Sequence, residues 1–241
     1  MKKVLRFLLI LIVVAALAIT GFVQFYQSDI RPEGYQPGQE DRARALLTEM
    51  AIAHGVDRWD SIAHYQVDFE DEFYGAMGES GNPFPETPTK IQLAYTPGDM
   101  KTATLAIQTG SQKGTIWGLD AGKSYLQTGD ATSYKDDPMV HFWLPTYQYF
   151  IEFPWRILEA TAVGYGGEAT IDGKACEAVI ASWGTIEPQK DLDQYVIWID
   201  KESKRIAKIA YTIREYYGFL TGAAYFKDYR EFDGMLLPQR F

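Results

Sequence analysis

One cysteine in 241 residues, three histidines and no basic run beyond the first six positions leave little material for several common chemistries. The single Cys176 excludes an intramolecular disulfide and a cysteine zinc cluster, and it reads as a small apolar residue buried in a strand. His54, His64 and His141 stand too far apart for a local zinc motif such as HExxH. His54 falls at the end of an expected helix, where the helix dipole favours a cation. With 23 Lys and Arg against 32 Asp and Glu, and a net charge of −9, the chain lacks the basic face that phosphate neutralisation requires. Nucleic acid is therefore excluded as a partner. No glycine loop follows a strand and opens a helix, so nucleotide binding has no foothold. "GESGN" at 78–82 lacks the last glycine of G-x-S-x-G, and the prolines around it mark a loop. Asp68, Glu70, Asp71 and Glu72 lack the spacing of a calcium loop and read as a solvated strand end. No catalytic residue, metal ligand or cofactor is assigned, and the chain is not read as an enzyme.

What is present begins at the N-terminus. Lys2, Lys3 and Arg6 precede an apolar stretch over 7–25, and the first acid is Asp29. A basic end followed by about 20 apolar residues is the pattern of a segment that holds its start in the cytoplasm and sends the rest across the membrane. Residues 1–28 are expected to form a signal-anchor or transmembrane helix. Ala16-Leu17-Ala18 offers a small-residue cleavage site, and the alternative is secretion after cleavage; the length of the apolar run favours retention. The expected location is the cell envelope, anchored in the inner membrane with the body in the periplasm or outside. "QSDIRPEGYQPGQE", with two prolines and two glycines, makes 29–40 an expected linker, and 41–241 an expected single domain.

Within 41–54, Ala45, Leu46, Met50 and Ala53 recur at helical spacing, and Gly55 is placed to close the helix in a left-handed cap. The period then changes to two. Strands are expected within 62–73 and over 91–95, 102–109, 113–119, 123–128, 168–171, 175–183, 195–199, 206–214 and 223–232, with short turns such as "PGD", "DAGK" and "DKESK" between them. The aromatic stretch 138–160, punctuated by Pro145 and Pro154, reads as one or two short helices. In the strand at 195–199, Tyr195, Ile197 and Ile199 share one face and Val196 and Trp198 the other. Both faces are apolar, so both need a cover.

"YFIEFPWRILEA", "IDGKACEAVIASWG", "YVIWIDKESKRIAKIAYTI" and "DYREFDGMLLPQRF" follow one another through the second half. This order of features, with Ile199-Asp200-Lys201 at a strand end and a final Asp233-Gly234 before Pro238, resembles the LolA-like superfamily of exported bacterial proteins. The resemblance implies a mainly β (α+β) fold, a strongly curved antiparallel sheet or unclosed β-barrel with helices on its concave face, here preceded by an N-terminal apolar helix. It also implies a hydrophobic-ligand function, with a lipid or lipid-modified molecule as partner. The candidate ligand-contacting residues are the aromatic belt Trp143, Tyr147, Phe150, Phe153 and Trp155, together with Trp198. A second reading makes the belt a permanent plug of a structural or sensory envelope module, and an enzyme without a recognisable motif ranks third.

Overall fold

The structure is a computed structural model that describes residues 2–241. In chain order its elements are α1 (Lys2–Phe25), α2 (Glu40–Ala53), β1 (Tyr65–Asp71), α3 (Gly75–Gly81), β2 (Thr89–Tyr95), β3 (Ala103–Ile107), β4 (Thr115–Asp120), β5 (Lys123–Thr128), β6 (Ala131–Tyr134), α4 (Pro138–Ile151), α5 (Phe153–Arg156), β7 (Ala162–Ile171), β8 (Lys174–Ser182), β9 (Gln194–Asp200), β10 (Ile206–Thr212), β11 (Thr221–Tyr225), β12 (Arg230–Phe232) and β13 (Met235–Leu237). The strands form a six-stranded meander, β1 to β6 in order, a five-stranded sheet ordered β11-β10-β9-β8-β7, and the hairpin β12-β13. All pairings are antiparallel, and no sheet closes on itself. The mainly β, unclosed architecture expected from the sequence holds. The chain divides into two compact units, Met1–Val56 with Ile157–Phe241, and Asp57–Arg156, where the sequence reading expects one domain.

In the unit Asp57–Arg156 the pleat sorts the residues. Ile91, Leu93 and Tyr95 are buried from β2, and Leu105 and Ile107 opposite them from β3, with Leu93 paired to Leu105. This apolar face is covered by α4, which packs on β3, β4 and β5. The helix begins where Asp137 accepts a hydrogen bond from the Met139 N–H at 2.9 Å, with Pro138 in the first turn. Val140, Leu144, Tyr147 and Ile151 then recur at helical spacing and are buried. Pro145 lies inside this helix without ending it, since the buried row on both sides of it outweighs the lost hydrogen bond. Several short elements differ from the sequence reading: the strand expected over 223–232 is two, β11 and β12, and β13 follows them. β6 is fully exposed and carries no burial pattern to find, and the glycine-rich loop contains α3.

In the other unit β9 lies between β8 and β10, which satisfies its edges, and the two faces of the sheet are covered by other segments. On one side α2 packs on β7 and β8, burying Leu46, Leu47 and Met50, while Arg42 lies 3.7 Å above the Tyr165 ring. Gly55 follows α2 with φ +64°, the expected left-handed residue. On the other side Ala178, Ile180 and Val196 are covered by Ile30, Tyr35 and Ile186. The cover therefore includes the segment expected to be a linker. Gln36 bridges to Tyr165, and Gly34 lies so close to Gly167 (φ +86°) that a Cβ on the latter would sit 2.8 Å from the Gly34 backbone. Residues 28–36 are thus a strap fixed to the sheet. Its one proline and one glycine, Pro32 and Gly34, lie where it approaches Gly166 and Gly167 closely.

The segment 1–28, expected to be an anchor, falls partly outside the described residues. Among the described residues no helix is long and apolar enough to cross a membrane. Large apolar side chains of α1 are open: Ile12, Leu17 and Phe25 are 63, 67 and 77% exposed.

Candidate functional site

The aromatic belt separates into two sides of one helix. Tyr147 is buried in the row that faces the sheet, and its hydroxyl donates to Asp71 Oδ2. Burial raises the pKa of both groups, so the pair holds its proton, and Asp71 is not the solvated strand end expected from its acidic neighbours. Phe153, in α5, is fully buried, with its ring 5.8 Å from that of Tyr149. On the other side of α4, Phe142, Trp143 and Phe150 are half-buried. Trp143 meets Tyr147 at 5.5 Å and, edge-on, Phe73 at 5.7 Å. Trp155 stacks on Trp59 with ring centroids 6.0 Å apart. The structure therefore brings Trp143 and Tyr147 together and seats Phe153 and Trp155 against other aromatic partners. Trp198 belongs to the other unit, on the face covered by the strap, with Lys208 Nζ 5.0 Å from its ring.

Where α4 ends, a buried carboxylate ties the helix to the sheet. Glu152 Oε1 accepts hydrogen bonds from the Tyr65 hydroxyl and from Gln148 Nε2, both at 2.9 Å, and Oε2 accepts from the Gly98 N–H at 3.2 Å. Gln148 Nε2 also donates to the Thr96 carbonyl at 2.9 Å. Burial raises the Glu152 pKa, while these donors oppose the shift by favouring the charged form. In the other unit His54 is likewise buried. Its Nδ1 lies 3.1 Å from the Leu236 carbonyl and its Nε2 accepts from the Ile206 N–H at 3.2 Å, which requires a neutral ring with the proton on Nδ1. Burial pushes its pKa down to about 4. The cationic role expected from its place at the helix end is corrected accordingly. Three buried titratable groups, Asp71, Glu152 and His54, are thus all engaged in structural hydrogen bonds. Among the described residues no group of three or more His, Cys, Asp or Glu could hold a metal ion.

A cleft that the sequence reading missed lies on the six-stranded sheet, with a volume of about 510 Å³. Its lining includes the small residues Ala94 and Thr104, which lie in one cross-strand row with Gly118, Tyr125 and Tyr134. The Tyr125 ring lies over Gly118 so closely that a Cβ there would be 2.0 Å from its Cζ. Tyr134 stands 5.5 Å from Tyr125, ring to ring, and donates to Asp120 Oδ2 at 3.2 Å. Gln127 and Thr132 complete a lining that contains no Lys or Arg. Such a surface offers hydroxyl, amide and imidazole groups for hydrogen bonding and no fixed positive charge. The signal in the sequence was the spacing of Tyr125 and Gln127 by two, which puts both on one face of β5; pairing with Gly118 and Tyr134 is visible only in the folded sheet. A second cleft, of about 360 Å³, lies in the other unit, and its Lys227 is paired with Asp172 at 2.8 Å.

No family model and no curated protein matches the chain. Solved structures similar to it include a LolA superfamily protein from Nitrosomonas europaea, at 8% identity over 81% of this chain and 82% of that one, with a TM-score of 0.47. Another is a domain from Vibrio parahaemolyticus named for outer membrane lipoprotein sorting, at 13% identity over 79% and 81%, TM-score 0.46. A third is a DUF1329 family protein from Desulfovibrio piger, at 13% identity over 80% and 83%, TM-score 0.40. The first of these carries the name of the superfamily that the sequence resembles.

Proposed function

We propose that this protein is a non-enzymatic component of the cell envelope, exported by its N-terminal segment, that binds a lipid or another hydrophobic molecule through the half-buried aromatic side of α4. One observation carries this reading. Beside the row Val140, Leu144, Tyr147 and Ile151 that attaches the helix to its sheet, Phe142, Trp143 and Phe150 of the same helix keep part of their ring surface open. Planar rings supply large contact area at little entropic cost, which suits them to an acyl chain. The resemblance read in the sequence points the same way. The reading as a binding protein also accords with the engagement of Asp71, Glu152 and His54 in structural hydrogen bonds.

The test uses the full chain in a bacterial host fed a diazirine fatty acid, followed by irradiation and mapping of the labelled peptides. Label on the peptide that contains 142–150 is the expected result. Label confined to 2–25, where the apolar segment meets the bilayer, would overturn the binding site while leaving the membrane segment in place.

A second reading, a structural module with a filled core, is favoured by a separate observation. The Tyr95 hydroxyl donates to the Leu144 carbonyl at 2.9 Å in the buried interior, so the buried side of α4 is fixed by a hydrogen bond as well as by packing. Under that reading no label appears at 142–150.

A further inference from the structure

The chain does not leave α1 through a free spacer. The Ser28 N–H donates to the Gly218 carbonyl at 2.8 Å. The guanidinium of Arg214, which is buried, donates to the Ser28 carbonyl, to Ser28 Oγ at 3.2 Å and to the Gly218 carbonyl. Its backbone N–H is held by Asp193 Oδ1 at 2.9 Å. A Cβ on Gly218 would lie 2.4 Å from the Tyr26 carbonyl oxygen, so loop and helix base are in close backbone contact. Around this clamp the side chains are aromatic. Phe22 stacks on Tyr26 with centroids 4.6 Å apart and meets Phe219 at 5.7 Å, and Phe219 stacks on Tyr217 at 5.3 Å. Phe22, Tyr26, Tyr216 and Tyr217 are 47 to 49% exposed.

A group of large aromatic side chains left half open is rare on a monomeric soluble surface and marks an interaction site. Its occupant follows from what it adjoins. The aromatic group is continuous with the exposed apolar surface of α1, where Phe25 and Leu17 stand open. We propose that loop 213–220 and the base of α1 form a membrane collar that seats this unit on the bilayer surface, with Tyr216, Tyr217 and Phe219 at the boundary between headgroups and acyl chains. Tyrosine suits that boundary because its ring is apolar and its hydroxyl is wet. The collar rests on the reading of α1 as a retained anchor. Within the loop the only cation is Arg214, already engaged with Ser28 and Gly218, and Glu215 is exposed. Attraction to anionic lipid therefore plays no part, and the collar seats equally well on zwitterionic lipid.

The single cysteine makes a direct test practical, because Cys176 is buried and can be replaced in a Cys176→Ala background. Nitroxide labels are placed in the full chain at Ile12→Cys, Tyr217→Cys, Phe219→Cys and Glu202→Cys, and the protein is reconstituted into phosphatidylcholine vesicles. Glu202 lies in the turn before β10, and the collar loop follows the other end of that seven-residue strand, roughly 20 Å away. Power saturation with oxygen and with a water-soluble nickel chelate then reports depth. The expected result is a label at 12 that is inaccessible to the chelate, labels at 217 and 219 with several-fold lower chelate access than the label at 202, and no change when anionic lipid or high salt is added. Labels at 217 and 219 as accessible as the one at 202, with position 12 protected, would overturn the collar and leave the anchor intact. A label at 12 open to the chelate would overturn the anchor and the collar together. Protection at 217 and 219 that requires anionic lipid would overturn the aromatic mode of seating.

Discussion

At the scale of single residues, the polar groups that matter most are those whose charge state the fold selects. His54 is held neutral, with an ordinary pKa near 6.5 pushed down to about 4. The unfolded chain binds the extra proton first, so the stability this residue contributes is fully present above pH 6.5 and is lost as pH falls through about 4. The difference corresponds to about 3 kcal/mol. Chemical denaturation of the full chain at pH 7 and at pH 4.5 should show that loss, and His54→Gln, which cannot titrate, should flatten the profile in this window at a lower overall stability. Glu152 has the opposite sign. Burial raises its pKa, so the fold favours the protonated acid and stability declines as pH rises from the unfolded value through the folded one. Glu152→Gln puts an amide donor among the donors of Tyr65, Gln148 and Gly98, and should cost about 1 to 3 kcal/mol. Faster hydrogen exchange at the Gly98 amide would locate the damage; an unchanged amide would contradict the role given to this carboxylate.

At the scale of elements, α4 is apolar on two sides, and the two sides make different predictions. Leu144 is fully buried, and Leu144→Ala should cost about 2 to 5 kcal/mol, as large-to-small changes in a packed interior do. Phe150 is half-buried, so Phe150→Ala should cost clearly less in the same urea titration and should reduce the photolabelling of α4. Equal losses in the two variants, without any labelling, would favour the filled module. Elements also show where sequence reading is strong and where it fails. The alternation of β2 and β3 and the end of α2 follow from the local period and from a left-handed glycine. β6 was missed because a four-residue exposed edge has no buried face to betray it. The first half of β7 was missed because Gly164, Gly166 and Gly167 read as a break, whereas they let the strap and its Tyr35 approach the sheet.

At the scale of the whole molecule, the prediction follows from charge. If residues 2–25 are the membrane segment, Lys2, Lys3 and Arg6 favour an N-terminus in the cytoplasm, and Asp29, Glu33 and Glu40 on the far flank are opposed only by Arg31. The body should therefore lie outside the cytoplasm. The intact chain should stay in the membrane fraction after an alkaline wash and should be cut by protease added to the periplasmic side. A soluble form beginning near residue 19 would replace the anchor by a cleaved signal and preserve export. A body that is cut only after the inner membrane is breached would contradict both.

Local chemistry alone determined the alternation of the strands, the helix within 41–54 and the helical reading of the aromatic stretch, because each depends on neighbours within one or two turns of chain. The tertiary structure decided what lies across from them. Trp198 lies on a strand face that is apolar in sequence; Ile30, Tyr35 and Ile186 of the same chain pack on that face beside it, and Trp198 stays half-buried. His54 looked like a surface cation because its partners Ile206 and Leu236 are 152 and 182 residues away. The cleft needed five strands, β2 to β6, in register before its small residues and its tyrosines came together. A residue's period is set by its own backbone, whereas its burial, its charge and its availability to a ligand are set by whatever the rest of the chain brings against it.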